Sequence, residues 1–262
     1  MTKFGDISFS FDDGPYGGND SLTDIVFFLK ENDVYNFHFF INGYHFLKED
    51  FLKKINTIYD KKYPSIAFSE EVPRLKMWQE VLNMHNLSEY LNKSTADKFL
   101  ANFKKANIIA SDRLGYHGMF HPPYSHPSHH QFLPVSVLLD DINTFEHILS
   151  LVLEHKVRIK IGRPPGGGGF DLHSDRRKNY RNMLEAARIR GDFRWVLWKS
   201  SSKDWKGKGV NTKNIIRNVK QKINRNPEWE MKSHDILFHS LYFDKNKMQI
   251  KNLIDRLKEI TK

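Results

Sequence analysis

Short runs of β-branched and aromatic residues alternate along this chain with longer stretches whose apolar residues recur every three or four positions. That alternation constrains the fold more than any other feature, because it is the pattern of an α/β architecture with mostly parallel strands and helical crossovers. Ile7-Ser8-Phe9-Ser10-Phe11 reads as a strand, and Leu22, Ile25, Val26 and Leu29 then fall at helical spacing. Phe37-His38-Phe39-Phe40-Ile41 reads as the next strand, stopped by Asn42-Gly43. Residues 158–162, 194–199 and 235–239 are further strand candidates, and 142–154, 180–190 and 212–223 are helical candidates. The chain closes on Ile250, Leu253, Leu257 and Ile260, one apolar stripe bracketed by Lys and Asp.

A length of 262 residues suits two small domains or one large barrel-like α/β unit. No internal repeat and no long Pro/Ser/Gly linker divides the chain, which favours one domain over 1–262. The compositional break is 48–112, where Trp78, Val81, Leu82, Leu87, Leu91, Phe99 and Phe103 predict two or three helices without intervening strands. This stretch is expected to be a mainly helical insertion within one barrel. Pro134 and the Pro/Gly cluster at 164–169 mark loops at strand ends, where β/α barrels build their active sites.

The chain has no cysteine, which excludes disulfide scaffolds, zinc ribbons and thiol nucleophiles, and leaves any metal to His and carboxylates. Forty-one Lys and Arg against 31 Asp and Glu give a net charge of +10. That excess admits a nucleic acid, an anionic lipid or an acidic glycan as partner, although a solvated Lys-rich surface is its commoner meaning. No stretch approaches the roughly 18 apolar residues of a membrane span. Met1-Thr2-Lys3-Phe4-Gly5-Asp6 lacks an apolar signal core, so the expected location is cytoplasmic or virion-associated.

Five segments carry chemistry. Asp12-Asp13-Gly14-Pro15 follows the first strand. Adjacent carboxylates repel and diverge toward different partners, such as a cation and a proton, while an Asx-turn or helix cap is the plain alternative. In Leu114-Gly115-Tyr116-His117-Gly118-Met119-Phe120-His121-Pro122, two imidazoles four residues apart can reach one cation. His126 and His130 share that spacing and His129 adds another candidate, so a polar His-rich surface is the alternative here. Arg163-Pro164-Pro165-Gly166-Gly167-Gly168-Gly169 offers backbone N–H groups to a developing oxyanion. It lacks the Lys-Ser/Thr of a phosphate-binding loop, which rules out the nucleotide reading. Asp204-Trp205 and Ile236-Leu237-Phe238-His239-Ser240 complete the set.

The order of these segments resembles the polysaccharide deacetylases of the NodB homology group, carbohydrate esterase family 4. Ser8 to Pro15 is similar to the family's Thr-Phe-Asp-Asp-Gly-Pro, and Asn36 to Gly43 to its second strand. Leu114 to Pro122 resembles the metal segment Ile-Gly-Asn-His-Thr-Tyr-Ser-His-Pro, with His117 and His121 on the ligand positions. Arg163 to Gly166 is similar to Arg-Pro-Pro-Tyr-Gly, and Asp204-Trp205 and Leu237-Phe238-His239 to the last two motifs. Several positions depart from the pattern. Gly118 replaces a hydroxyl residue whose hydrogen bond fixes the loop, and Gly166 replaces an aromatic wall of the sugar site. Ser240 and Ser201 stand where Asp is frequent, and Gly43 and His117 are unusually far apart. Tyr124-Ser125-His126-Pro127 imitates the end of the metal motif, but the register with His117 and His121 places Leu114-Gly115 and Pro122 without a gap.

The resemblance implies a distorted (β/α) barrel of the NodB deacetylase type carrying a mainly helical insertion. It implies a metal-dependent hydrolase that removes an N-acetyl or other N-acyl group from an amino sugar, with Asp13, His117 and His121 holding a divalent metal, Zn2+ first. Asp12 would be the general base oriented by Arg163, and His239 the general acid oriented by Asp204. Pro165, Gly166, Trp205 and Leu237 would line the substrate, with the Gly166 N–H as an oxyanion donor. The implied partner is an N-acylated sugar polymer or glycoconjugate, anionic ones included. Deacylation of a small or lipid-linked sugar is one alternative, and a non-catalytic carbohydrate-binding protein on the same fold is another. Nucleic acid is disfavoured because the Lys and Arg residues are dispersed and no binding motif accompanies them.

Overall fold

Strand β1, Ile7–Gly14, shows how the sequence sorts its side chains. Successive residues of a strand point to opposite faces, so Phe9 and Phe11 share one face and Ser8, Ser10 and Asp12 the other. The aromatic face packs outward. Phe9 stacks on Phe238 at 5.7 Å between ring centroids, and Phe11 packs on Phe39 and Phe238 and meets Phe243 edge-on. The polar face turns toward the inside of the sheet's curl.

The computed structural model describes residues 3–14, 21–53, 86–119, 135–165, 177–221 and 233–262. Among them, seven parallel strands form a curled half-barrel in the order β5-β4-β3-β2-β1-β7-β6. The remaining strands are β2 Phe37–Ile41, β3 Leu114–Tyr116, β4 Ile161–Gly162, β5 Arg194–Trp195, β6 Ser200–Ser201 and β7 His234–His239. Parallel neighbours require crossovers, and these are the helices α1 Ser21–Glu31, α2 Lys93–Ala106, α3 Val135–Leu153, α4 Arg177–Arg190 and α5 Thr212–Lys220, with α6 Phe243–Ile260 closing the chain. Leu22, Ile25, Val26 and Leu29 of α1 and Ile250, Leu253 and Leu257 of α6 are buried in one apolar core, as their spacing predicts. A small separate cluster of Phe40, Val196 and Ile161 fills the inside of the curl. Among the described residues no helix is long and apolar enough to cross a membrane.

Three elements differ from the sequence expectation. The strand expected over 158–162 shortens to β4, because Val157 and Ile159 give their N–H groups to Ser150 Oγ and Glu146 Oε1 of α3 instead of to a neighbouring strand. The strand expected over 194–199 shortens to β5, and the chain then pairs again as the two-residue β6, which no periodicity announces. The segment 114–116, read from sequence only as a prelude to metal ligands, is itself a strand.

Of the 48–112 stretch, residues 54–85, with Trp78, Val81 and Leu82, lie outside the described residues. Its second part contains α2. Asn92 caps α2 by accepting the Thr95 N–H, and Asn107 ends it in the left-handed region at φ 49°. Ala96, Phe99, Phe103 and Ala106 form its buried stripe. This portion is the crossover joining β2 to β3, packed into the main core.

Candidate active site

Register brings the chemistry together. Asp12 of β1 lies level with His239 of β7 on one side and with Phe40 of β2 on the other. Below Asp12, the inward face of β1 continues as Ser10 and Ser8, and both hydroxyls donate to the Asp235 carboxylate of β7, at 2.7 and 2.6 Å. Arg163, fully buried just after β4, binds this column. Its Nη1 donates to Asp12 Oδ1 at 2.8 Å and to Ser10 Oγ at 2.7 Å, and its Nη2 donates to Asp235 Oδ2 at 2.6 Å. The guanidinium lies over the Phe40 ring, 3.9 Å from its centroid, which fixes its plane.

Asp13 sits in a β-bulge. The β1–β2 register slips between Asp12 and Gly14, and Asp13 adopts φ 68°. Strict alternation would send neighbouring carboxylates to opposite faces, and the bulge re-aims Asp13 toward the same imidazole that Asp12 faces. His117 Nε2 is 3.2 Å from Asp13 Oδ1 and 3.7 Å from Asp12 Oδ2. His117 Nδ1 lies 2.8 Å from the Arg163 carbonyl oxygen, which can only accept, so Nδ1 carries the proton and donates. In the neutral ring Nε2 then presents a lone pair toward two carboxylates, an arrangement that a divalent cation between them satisfies. The Nδ1–H to carbonyl bond is the usual way a ligating imidazole is oriented. The donor set therefore fits a His/carboxylate-bound metal such as zinc. Asp13 and His117 could hold it. His121, the third expected ligand, lies outside the described residues, and among the described residues no complete three-ligand set is present.

On the other side, Asp204 Oδ1 accepts the His239 Nδ1–H and its Oδ2 accepts the His239 backbone N–H, both at 2.8 Å. A left-handed Lys203, φ 54°, turns the chain so that the buried Asp204 faces β7. Burial raises the Asp12 pKa above its ordinary value, opposed by the charges of Arg163, His117 and His239. Burial acts to lower the His239 pKa, but the Asp204 hydrogen bond and the charges of Asp204, Asp12 and Asp13 outweigh it and leave it raised. Both groups are thus shifted upward from their ordinary values.

Asp12, Asp13, His117, Arg163, Asp204 and His239 lie together at the strand ends. Leu237 is buried on the inward face of β7, Pro165 is buried, and Trp205 is 52% exposed with Lys206 Nζ 4.9 Å from its ring centroid. Pro15, Gly166, His126, His129 and His130 lie outside the described residues. Sequence reasoning missed Asp235, Ser8 and Ser10. The available signal was three polar residues at alternate positions 8, 10 and 12 of an otherwise apolar strand, and a lone carboxylate inside another.

No family model matches the chain, and no curated protein matches it. Solved structures do. The catalytic domain of a peptidoglycan N-acetylglucosamine deacetylase from Eubacterium rectale is similar at 16% identity and TM-score 0.50, over 95% of this chain and 84% of that one. A protein of Bacillus anthracis described as a pseudoenzyme of carbohydrate esterase family 4 is similar at 15% identity and TM-score 0.50. That match covers 97% of this chain but 60% of the Bacillus protein, so this chain spans well under two thirds of its length. The fold is the NodB-type (β/α) barrel of the carbohydrate esterase family 4 deacetylases. Because that fold serves a deacetylase and a pseudoenzyme alike, any assignment of activity rests on the site residues.

Proposed function

We propose that this chain is a metal-dependent hydrolase that removes the N-acetyl group from an amino sugar of a polysaccharide or glycoconjugate. The observation that carries the reading is the pairing of Asp12 with His239 across β1 and β7, each tethered to its own partner, Arg163 and Asp204, with Asp13 and His117 alongside. A structural or binding role would not require a buried carboxylate, a buried imidazole and an Asp–His pair at one strand end.

Asp13 and His117, with His121 as the resemblance implies, would hold a divalent cation, which would supply Lewis acidity toward water and the amide carbonyl. Asp12 accepts the proton of the attacking water, and Arg163 keeps its Oδ1 occupied so that Oδ2 faces the site. The new C–O bond forms at the acyl carbon, and the family resemblance assigns the oxyanion to the N–H of Gly166, which lies outside the described residues. His239, its Nδ1–H on Asp204, gives the proton from its other ring nitrogen to the departing amine as the C–N bond breaks. The products are acetate and a free amino sugar. Trp205 offers an exposed face for a sugar ring, and the exposed Lys203, Lys206 and Lys208 around it favour a negatively charged glycan.

The test is acetate release from N-acetylated oligosaccharides, neutral and anionic, with Zn2+ and after chelation. Metal-dependent release supports the reading. Absence of release from every N-acetyl sugar in metal-loaded protein overturns it.

A further inference from the structure

The loop that carries His117 has little of its own to hold it. Ladder pairing of β3 ends at Tyr116, and Gly118, at φ 93°, brings no side chain. The His117 N–H bonds Ile41 O, its Nδ1–H bonds Arg163 O and the Met119 N–H bonds Asp141, and the turn that follows β2 holds the loop's carbonyls. Asn42, fully buried, donates from Nδ2 to the His117 carbonyl at 2.6 Å and lies 3.4 Å from that of Gly118. The Gly43 N–H donates to Gly118 O at 3.1 Å and the Tyr44 N–H to Met119 O at 2.6 Å. A Cβ at Gly43 would stand 2.3 Å from Met119 Sδ, so a larger residue here would push the Met119 side chain aside. The same turn reaches the other ligand segment. Asn42 N–H donates to Gly14 O at 3.0 Å, and His45 Nε2 donates to the Asp13 carbonyl at 3.1 Å. Residues 42–45 therefore bond the backbone on both sides of the Asp13–His117 pair.

Within that turn Asn42 is the side chain that grips the His117 carbonyl. Its Oδ1 is buried with no hydrogen-bond partner, a costly state that an apolar side chain of the same size would avoid. The residue is explained by its donor. We propose that Asn42 is a positioning residue for a divalent cation, fixing the His117 backbone so that the imidazole Nε2 faces Asp13. The inference rests on the metal-hydrolase reading and deepens it. Groups behind the ligands of a metal site commonly control affinity by about 10- to 100-fold.

The experiment is calorimetric titration with Zn2+ of the metal-free wild type, Asn42→Leu and Asn42→Ala, with His117→Ala as a control. Thermal unfolding of each metal-free protein and kcat/KM for acetate release at saturating Zn2+ accompany it. Leu keeps the volume without the donor, and Ala removes both. The expected result is a folded variant whose Zn2+ affinity falls about tenfold or more, with a lower kcat/KM even when loaded. A folded variant with wild-type Zn2+ affinity and kcat/KM overturns the role of Asn42 while leaving the hydrolase reading intact. If neither variant folds, the residue is structural and the positioning role is overturned. A wild type that takes up no Zn2+ overturns the metal-hydrolase reading, and the inference with it.

Discussion

Asp204 grips His239 twice, accepting the ring Nδ1–H on one carboxylate oxygen and the backbone N–H on the other, each at 2.8 Å. The double hold fixes both the tautomer and the height of the ring above β7. Burial pulls the imidazole pKa down, and Asp204, Asp12 and Asp13 together push it above the usual 6.5. A general acid has to enter the reaction protonated, so kcat/KM for acetate release should fall as pH rises through that raised pKa. Asp204→Asn should move this alkaline limb to lower pH. A pH–rate profile in which the limb stays where it was would remove His239 from the acid role. The stability effect has the same sign: a folded pKa above the unfolded one stabilises fully below about 6.5 and loses that contribution as pH rises through the folded value.

Asp12→Asn separates chemistry from metal binding. Asp12 is held by Arg163 and stands farther from His117 than Asp13 does, 3.7 against 3.2 Å. Loss of a general base costs about 10²- to 10⁴-fold in rate. Turnover should fall by that order in Asp12→Asn, with Zn2+ content close to wild type, whereas Asp13→Asn should lose metal. Kinetics and elemental analysis of the two purified variants distinguish them, and full turnover in Asp12→Asn would sink the base assignment.

The ladder of strands and helices was legible because Phe9 and Phe11, or Leu22, Ile25 and Leu29, fall at periods that only one burial pattern satisfies. The candidate set was legible because Asp12, Asp13, His117, Arg163, Asp204 and His239 lie in short motifs in a recognisable order. What escaped was whatever depends on register. Asp235 meets Arg163 only because β7 pairs with β1 so that Ser10 aligns with Leu237, and β4 ends opposite both. Asn42 reaches the His117 carbonyl with its side-chain amide across 75 positions of chain, a pairing no local pattern announces. The strand expected over 158–162 shortened to Ile161–Gly162, with the preceding N–H groups of Val157 and Ile159 taken by Ser150 and Glu146, side chains of a helix.

Asp235 is the second carboxylate on Arg163, and it is fully buried. It neutralises a guanidinium that Asp12 alone would otherwise balance, and its oxygens accept the Ser8 and Ser10 hydroxyls. Removing one partner of such a buried ion pair costs about 3–5 kcal/mol, since the charge left behind stays desolvated. Asp235→Leu should therefore be destabilised by about that amount in urea unfolding. A loss under about 1 kcal/mol, the range of an exposed pair, would show that Arg163 is neutralised by Asp12 alone.

Asp141 of α3 is a second buried titrating carboxyl, outside the Asp12–His239 pair. Its carboxyl is buried, with Oδ2 shared between the Tyr116 hydroxyl and the Met119 N–H and Oδ1 without a hydrogen-bond partner. Burial drives its pKa from 3.8 up to about 7, against the opposing pull of those two hydrogen bonds. Between pH 4 and 7 the folded protein keeps a proton that the unfolded chain releases, so stability falls as pH rises through this window and levels off above it, by about 1.4 kcal/mol per pH unit where one proton separates the states. Asp141→Asn is neutral at every pH and lacks this term. Urea unfolding of wild type and variant at matched pH values should show the variant gaining on the wild type from pH 4 to 7 and holding a constant difference above. Parallel curves across that range would mean that Asp141 ionises in the fold as it does in the unfolded chain, and that its contact with Tyr116 and Met119 is made by the carboxylate throughout.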